Sequence, residues 1–529
     1  MLTDKLVELR KRRKISQEKL AEKLNVSRQA VQKWESGLSL PDTDRIVGIA
    51  RFFDVSIDWL LSMPDHSTTE ELRLRHNFIP RYQKMKLWEV FSSDLIVEYW
   101  QSMDEGRDVE NLFDLFLAVA ALPVGHHREQ LSDTLFSMVQ NTPMRSDYAY
   151  VEPNELEAIR DERHITADIR RDISLDKYRE KVRGAWYGRI CGCMLGATVE
   201  CISMDELHTF LRRTDNFPLH RYILSSDVTE ESTADLKYNL RIQKFIDKMS
   251  GFTDDDINYT ILALAMVESE GRAFASSDVW DCWRKHLPYN AVCTAERVAY
   301  RNMLNGYLPP DSAEYKNPYR EWIGASIRAD YYGYINPGDA ETAAEMAYID
   351  GSISHVKNGV YGSMFVAAAL ATAAVCSDMH TVIEAGLSQI PHACRLYEAL
   401  REVISMHDSG ADYDAMIQNI HERFDERLSH AWTHVIPNLC ITVTALLCGQ
   451  NDFAQTICMA VQAGFDTDCN GATAGSIVGM ILGGQGIPEE WIDPLKDSLT
   501  AQLSEAPSTD LDELVELTLS HCPSEEMYL

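Results

Sequence analysis

The sequence predicts an all-α chain, and three observations carry that reading. The first sixty-odd residues break into short, capped helices. Apolar residues recur at three-to-four spacing across residues 64–180. Beyond Tyr178 a glycine-laddered helix is followed by further apolar helical runs. The expected division is a helical head over residues 1–63, a helical spacer or dimerisation region over 64–177, and a large third part over 178–529.

Length and charge bound the function. The 529 residues allow two to four domains at roughly 150 residues each, and 45% hydrophobic with 25% charged residues is ordinary globular composition. A formal charge of −31 argues against nucleic-acid binding by the chain as a whole. Residues 1–62, however, hold 12 Lys/Arg against 9 Asp/Glu. A small basic module on an acidic body is the pattern of a DNA reader fused to something else. The twelve cysteines form no Cys-x-x-Cys pair, which suits reduced thiols better than disulfides or zinc. Cys191 and Cys193 read as packing residues. The N-terminus is charged from Asp4 onward, unlike a signal peptide. The longest apolar run, Gly362 to Cys376, falls short of the ~20 residues that span a bilayer. The expectation is a cytoplasmic protein with no membrane partner.

In the head, Leu2–Arg13 reads as a basic amphipathic helix with Leu2, Leu6 and Leu9 on one side. Ser16 is placed to cap a second helix over Gln17–Leu24. A turn at Asn25-Val26 follows, and Ser27 caps a third helix through Val31 and Trp34 that ends at Gly37. Pro41 and Asp42 open a fourth helix with Ile46, Ile49, Ala50 and Phe53 inward, and a fifth begins near Ser56. The third helix turns Arg28, Gln29, Gln32 and Lys33 outward. Gln and Arg can pair with adenine and guanine edges, and Lys33 suits a phosphate. A small helical protein-interaction domain is the other reading of the same pattern. The stretch ISQEKLAEKLNVSRQAVQKWESGLSLPD and the following IDWLL closely resemble the Cro/repressor-type (Xre) family. The resemblance implies a five-helix repressor-type domain and double-stranded DNA as partner. It also implies contacts from Gln17, Ser27, Arg28, Gln29, Gln32 and Lys33, and homodimers on paired half-sites.

The middle is helical without chemical motifs. Leu87, Val90, Phe91, Leu95, Ile96 and Tyr99 keep helical spacing, and Asn111–Leu122 is an amphipathic run ending at Pro123. Adjacent His126 and His127 point apart on any regular element, so a solvated loop is expected rather than a shared metal.

Chemistry begins at YREKVRGAWYGRICGCMLGATVE, where Gly184, Gly188, Gly192 and Gly196 recur every fourth residue. Each costs up to about 1 kcal/mol relative to alanine in a helix, and close helix packing is the expected reason. Glu200 continues the series, as a solvated cap or a residue facing a cleft. Thr253, Asp254, Asp255 and Asp256 precede an apolar helix. Part of this cluster can serve as helix caps, but three consecutive aspartates with a threonine exceed what a cap requires. Asp466 and Asp468 lie among small and apolar residues, where unpaired carboxylates are very costly. No arginine is close in sequence, so a hard divalent cation is the expected remedy. An all-oxygen set suits Mg2+ or Mn2+ rather than zinc.

From Tyr178 to Trp491 these motifs resemble the ADP-ribosylglycohydrolase family, which includes the dinitrogenase reductase-activating glycohydrolases. The resemblance implies an all-α bundle holding two Mg2+ ions, with Mn2+ as a substitute. It places Thr253, Asp254, Asp255, Asp466 and Asp468 on the family's metal ligands and Glu200 on its acidic active-site residue. The segment Ile323–Arg328 resembles the loop that cradles diphosphate and ribose, giving Gly324, Ser326 and Arg328. The later histidine segment gives His355, Asn358, Gly359, Tyr361 and Gly362. Cys469 and Asp256 depart from the family pattern, which has threonine at both positions. The implied reaction is hydrolysis of a glycosidic bond in an ADP-ribosylated protein or an ADP-ribose-like small molecule. Glu200 and Asp255 are the expected catalytic residues, and the transition state is oxocarbenium-like. The alternative is a transcriptional regulator whose glycohydrolase-like domain senses ADP-ribose, NAD or a nucleoside.

Overall fold

A computed structural model describes residues 2–61, 79–165, 173–237, 240, 247, 252–495 and 499–523. They fall into two units that divide between Arg81 and Tyr82. Among the described residues there is no strand, only isolated bridges such as Trp322 with His434. No helix among them is long and apolar enough to cross a membrane.

The first unit is five helices: α1 (Leu2–Arg12), α2 (Gln17–Lys23), α3 (Arg28–Glu35), α4 (Thr43–Phe53) and α5 (Ile57–Leu61). The expected caps at Ser16 and Ser27 form, accepting from Lys19 N and Ala30 N, and Asp42 and Ser56, where the next helices are expected to open, also cap, accepting from Arg45 N and Trp59 N. Gly37 takes the left-handed conformation (φ +74) that ends α3. Leu6, Leu20, Val31, Ile49 and Leu60, one from each helix, are fully buried and form the core.

In the second unit, α6 (Leu95–Asp104), α7 (Phe113–Ala120) and α8 (His126–Gln140) gather a small core of Leu95, Tyr99, Phe116, Leu135 and Val139. Two sequence expectations fail here. Leu87 to Val90 is a turn rather than a helix, because Trp88 sits at φ +65. His126 and His127 are exposed as expected but open α8 instead of lying in a loop. The following Arg128 is buried and fixes that end by bonding Ser92 O and Leu122 O.

Nor are residues 82–165 a separate spacer. Arg320 pairs with Glu98 and Glu105 of this region, and Gln101 donates to Glu321 at 2.7 Å. Arg395 pairs with Glu152 and with Glu321. Buried ionic groups that complete one another across two segments make those segments one folding unit, since separating them strands charge in the interior. The expected boundary at 63/64 lies outside the described residues. The one at 177/178 falls inside a continuous helix, α9 (Leu175–Ala197).

Around α9 lie α10 (Asp255–Glu270), α11 (Lys357–Ala373), α12 (Val435–Cys448), α13 (Phe453–Gln462) and α14 (Thr467–Leu482). The glycine ladder faces a second ladder on α14. Gly184 opposes Gly479, Gly188 opposes Gly475, and Gly192 opposes Gly471; Gly196 opposes Thr467. Rising numbers meet falling ones, so the helices are antiparallel. A Cβ on any of these glycines would come closer than 3.0 Å to a backbone atom of the other helix. At the far end the buried Lys181 ammonium donates to Ala373 O, Met480 O and Ile481 O, the last carbonyls of α11 and α14. Burial lowers its pKa to about 8.

Gly188→Ala or Gly475→Ala should therefore destabilise the second unit by about 3 kcal/mol or more, read as a lower melting temperature of the full chain in calorimetry. Gly48→Ala in α4, where the new Cβ has its nearest neighbour at 3.8 Å, should instead be neutral or stabilise the first unit by up to about 1 kcal/mol.

Candidate functional site

The seam of α9 and α14 delivers one end of each helix to a common place. Thr467 Oγ1 donates to Gly196 O at 2.9 Å, so the last turn of α9 lies on the first turn of α14. Asp466 is the N-cap of α14, and Asp468 lies in its first turn. The turn before them uses two left-handed residues, Gly464 (φ +79) and Phe465 (φ +57). It is held by the Glu426 carboxylate, which accepts from Phe465 N and Met204 N. From α12, Asn438 Oδ1 accepts from Asp466 N at 3.1 Å and from Asn470 Nδ2 at 2.8 Å. Asp254 is likewise the N-cap of α10, with Asp255 and Asp256 in its first turn.

These two helix starts face each other. Burial, then the charges of Asp254, Asp256 and Asp468, hold the Asp255 carboxyl well above its usual range. Asp466 is pushed up by burial, then by Asp468 and Asp256. Asp256 is also pushed up by burial and by Asp468 and Asp254, although an arginine works against the shift. That arginine is Arg189, the charged residue inside the ladder of α9. Its Nη2 lies 3.1 Å from Asp256 Oδ1, and its Nη1 3.0 Å from Asp330 Oδ2. For Asp466 and Asp468 no arginine is close in sequence; the arginine that α9 brings, 67 residues from Asp256, goes to the other cluster. It serves Asp256, and the other oxygen of that carboxylate, Oδ2, is buried without a hydrogen-bond partner.

Five carboxylates thus meet at two helix N-termini with one arginine beneath them. Helix dipoles offset only part of such charge. Cys469 departs from a hydroxyl but is not inert. Its thiol, kept protonated by burial and by the charges of Asp256, Asp466 and Asp468, lies within 4.8 Å of a carboxylate oxygen of Asp466 and of Asp468. One atom each of Cys193, Asp254 and Asp256 also lies within 4.8 Å of the others. The donor set is mostly carboxylate oxygen, and it fits hard divalent cations.

Glu200 is half-buried in the turn that follows α9, beyond the helix rather than on it. Its charge, like that of Asp255, acts on the Cys293 thiol. Thr253 is half-buried at the entrance to α10, with its hydroxyl 3.4 Å from Asn258 Oδ1.

The remaining expected residues split into two groups. Gly324, Ser326, Arg328 and His355 form one. Arg328 is fully engaged by Glu296 Oε1 (2.6 Å), Asp350 Oδ2 (2.8 Å) and Asp350 O (2.9 Å). Gly324 has no room for a Cβ because the Glu296 carboxylate fills the space. Burial, with the Arg328 charge, keeps His355 neutral; its Nδ1 meets Ser354 Oγ at 2.9 Å. His355 Nε2 and Ser326 Oγ are buried without hydrogen-bond partners. Asn358, Gly359, Tyr361 and Gly362 line α11 and are buried. Asn358 Nδ2 donates to Glu152 and Glu321, and Tyr361 OH donates to Pro153 O, so these two serve the interior. Gly359 and Gly362 admit the Arg320 carbonyl and the Ser326 hydroxyl.

Sequence reasoning missed Asn438 and Arg189. Arg189 left a signal, a lone charge amid YGRICG, whereas Asn438 left none.

On the first unit, Arg28, Gln29, Gln32 and Lys33 form the exposed face of α3, while Val31 and Trp34 are buried behind them. Ser27 is spent on its cap. Gln17 Nε2 donates to Glu35 Oε2 at 2.8 Å, beside the Arg10–Glu35 pair.

The raised carboxyls have a consequence for stability. As pH rises past the ordinary aspartate range, the unfolded chain releases protons that the folded chain retains, so folding stability is lost. In EDTA the melting temperature of the second unit should fall between about pH 5 and pH 8. Mg2+ should restore it, most strongly at the upper end. A melting temperature in EDTA that stays flat or rises over that window would contradict the raised carboxyls.

Known proteins match both units. A helix-turn-helix family model matches residues 6–60. Over 74 residues the chain is 45% identical to the HTH-type transcriptional activator BcrR of Enterococcus faecalis, covering 14% of this chain and 36% of that protein. An uncharacterized HTH-type transcriptional regulator of Bacillus subtilis (strain 168), YobD, is 35% identical over 65 residues, 12% of this chain and 58% of its own. The chain therefore spans less than two thirds of the length of these relatives. A solved structure titled ADP-ribosylglycohydrolase-related protein complex is 19% identical, with a TM-score of 0.42, covering 67% of this chain and 100% of that one. So weak a likeness adds nothing to the fold. The ADP-ribosylglycohydrolase family model matches residues 174–524, well over half of the chain. The chain belongs to the ADP-ribosylglycohydrolase family, and it carries a helix-turn-helix domain at its N-terminus.

Proposed function

We propose that this chain is a DNA-binding protein whose second unit is a Mg2+-dependent glycohydrolase, cleaving the glycosidic bond of an ADP-ribosyl or related ribosyl substrate. The observation that carries the reading is the meeting of five aspartates at two helix N-termini with one arginine, paired to Asp256, beneath them. Thr253, Asp254, Asp255, Asp466 and Asp468 are the residues to hold two divalent cations, with Asp256 fixed below them by Arg189. Cations bound there would orient and polarise the ribose hydroxyls and a water.

The chain's own groups divide the remaining work. Glu200, half-buried at the end of the glycine seam, takes the proton of the attacking water. Asp255 stabilises positive charge that develops at the anomeric carbon. The free Nε2 of neutral His355 and the Ser326 hydroxyl are available to polar groups of the substrate. Arg328 acts through Glu296 and Asp350, holding the loop that presents Ser326. On the first unit, Gln29 and Gln32 face base edges and Lys33 faces a phosphate.

A second reading, a regulator that binds the same ligand without turning it over, is favoured by Cys469, which puts a thiol where a hydroxyl would serve magnesium better. Incubating the full chain with Mg2+ and ADP-ribosylated arginine or serine peptides, and measuring free ADP-ribose, separates the two. Release that is abolished by EDTA, and reduced about a hundredfold or more in Asp466→Ala and Asp468→Ala, supports the enzyme. Tight binding without release supports the sensor, and neither binding nor release sinks both.

On DNA, Lys33→Ala should weaken binding to all sequences alike and reduce the salt slope by about 1. Gln32→Ala should cost about 1–3 kcal/mol on the preferred sequence only. Gel-shift titrations at several salt concentrations check both.

A further inference from the structure

A second cluster of metal-ligating side chains stands apart from the acidic site. Asp104, the last residue of α6, lies beside His430 and His434, which flank the short turn leading into α12. One ligand atom from each falls within 4.8 Å of the other two. His430 Nε2 is 2.9 Å from Asp104 Oδ2, and the two imidazole rings are 5.2 Å apart between centroids. Both histidines are more than nine-tenths buried, at 8% and 3% exposure. His430 Nδ1 and His434 Nε2 are buried without hydrogen-bond partners. The groups open onto a cavity of about 400 Å3 that Tyr150, Arg395 and Phe424 also line, and Asp104 is exposed, which gives an ion a way in.

We infer that Asp104, His430 and His434 form a binding site for a transition-metal cation of the zinc type. Two imidazoles and one carboxylate are a borderline nitrogen–oxygen set, which selects zinc, cobalt or nickel over magnesium. On the Nε2 side of His434 the Glu321 carboxylate stands 3.8 Å away, and the charge of nearby Arg395 is offset by Glu321 and Glu152. Coordination at His434 Nε2 moves the ring proton to Nδ1 and gives up the 3.2 Å bond from Ile436 N. The ion would join α6 to the start of α12. One turn along α12, Asn438 donates to His434 O and accepts from Asp466 N. The second site therefore lies two hydrogen bonds from the acidic one.

The test is a Co2+ titration of the chelator-stripped full chain in excess Mg2+, followed by visible absorption and by displacement with Zn2+. A single equivalent of Co2+ should bind with nitrogen–oxygen ligand-field bands. Asp104→Asn, an exposed change with little risk to folding, and His430→Gln should each weaken it about tenfold or more. Asp466→Ala should leave it unchanged. The inference fails if the unmodified chain takes up no Co2+ under Mg2+. It also fails if Asp104→Asn leaves uptake intact, since the ion then sits in the acidic cleft or elsewhere.

Discussion

Everything at the acidic site depends on how closely two backbones approach. The glycines of α9 and α14 interlock from Gly184–Gly479 to Gly192–Gly471, and beyond them Gly196 rests on Thr467. Side chains larger than hydrogen would push the helices apart and carry the last turn of α9 away from the first turn of α14. Seven interior glycines each cost up to about 1 kcal/mol of helix stability, so the seam is a constraint that the fold accepts for the sake of geometry. It fixes an axial register as well as a distance, because each glycine accommodates one particular carbonyl of the partner.

The second constraint is electrostatic. Asp254, Asp255, Asp256, Asp466 and Asp468 are brought together by elements that would be more stable without so much like charge. Two helix dipoles, one arginine and the Cys469 thiol relieve part of it. Arg189 shows how the two constraints are combined: it stands on the same helix as the glycine seam, and only α9's close approach lets it reach both Asp256 and Asp330. Asn438 performs the complementary task, holding the Asp466 turn by its backbone so that the carboxylate stays available.

Residues 82–165 belong to the same unit through a different device. Glu98, Glu105 and Glu152 have their counter-charges on Arg320 and Arg395, so that this region and the bundle complete each other's buried polar groups. That arrangement explains why Asn358 and Tyr361, expected at the ligand, look instead toward Glu152 and Pro153. The same junction gathers Asp104, His430 and His434.

By itself the sequence determined what local chemistry controls. Caps at Ser16 and Ser27, the opening of α4 at Asp42, the end of α3 at Gly37 and the inward leucines of the head depend on neighbours within a few residues, and all were legible. So were the glycine ladder's packing role and the concentration of Asp254, Asp255, Asp466 and Asp468, because a spacing or a burial conflict is visible along the chain. Only the tertiary structure decided the partners: that the first ladder meets Gly471, Gly475 and Gly479 in antiparallel register, that Arg189 answers Asp256, that Arg328 is consumed by Glu296 and Asp350, and that the supposed spacer is built into the bundle. The physical reason is that helix periodicity and capping are encoded over single turns. Charge pairing and backbone contact across 22 to 295 residues are settled only when the core closes and each buried group must find its complement.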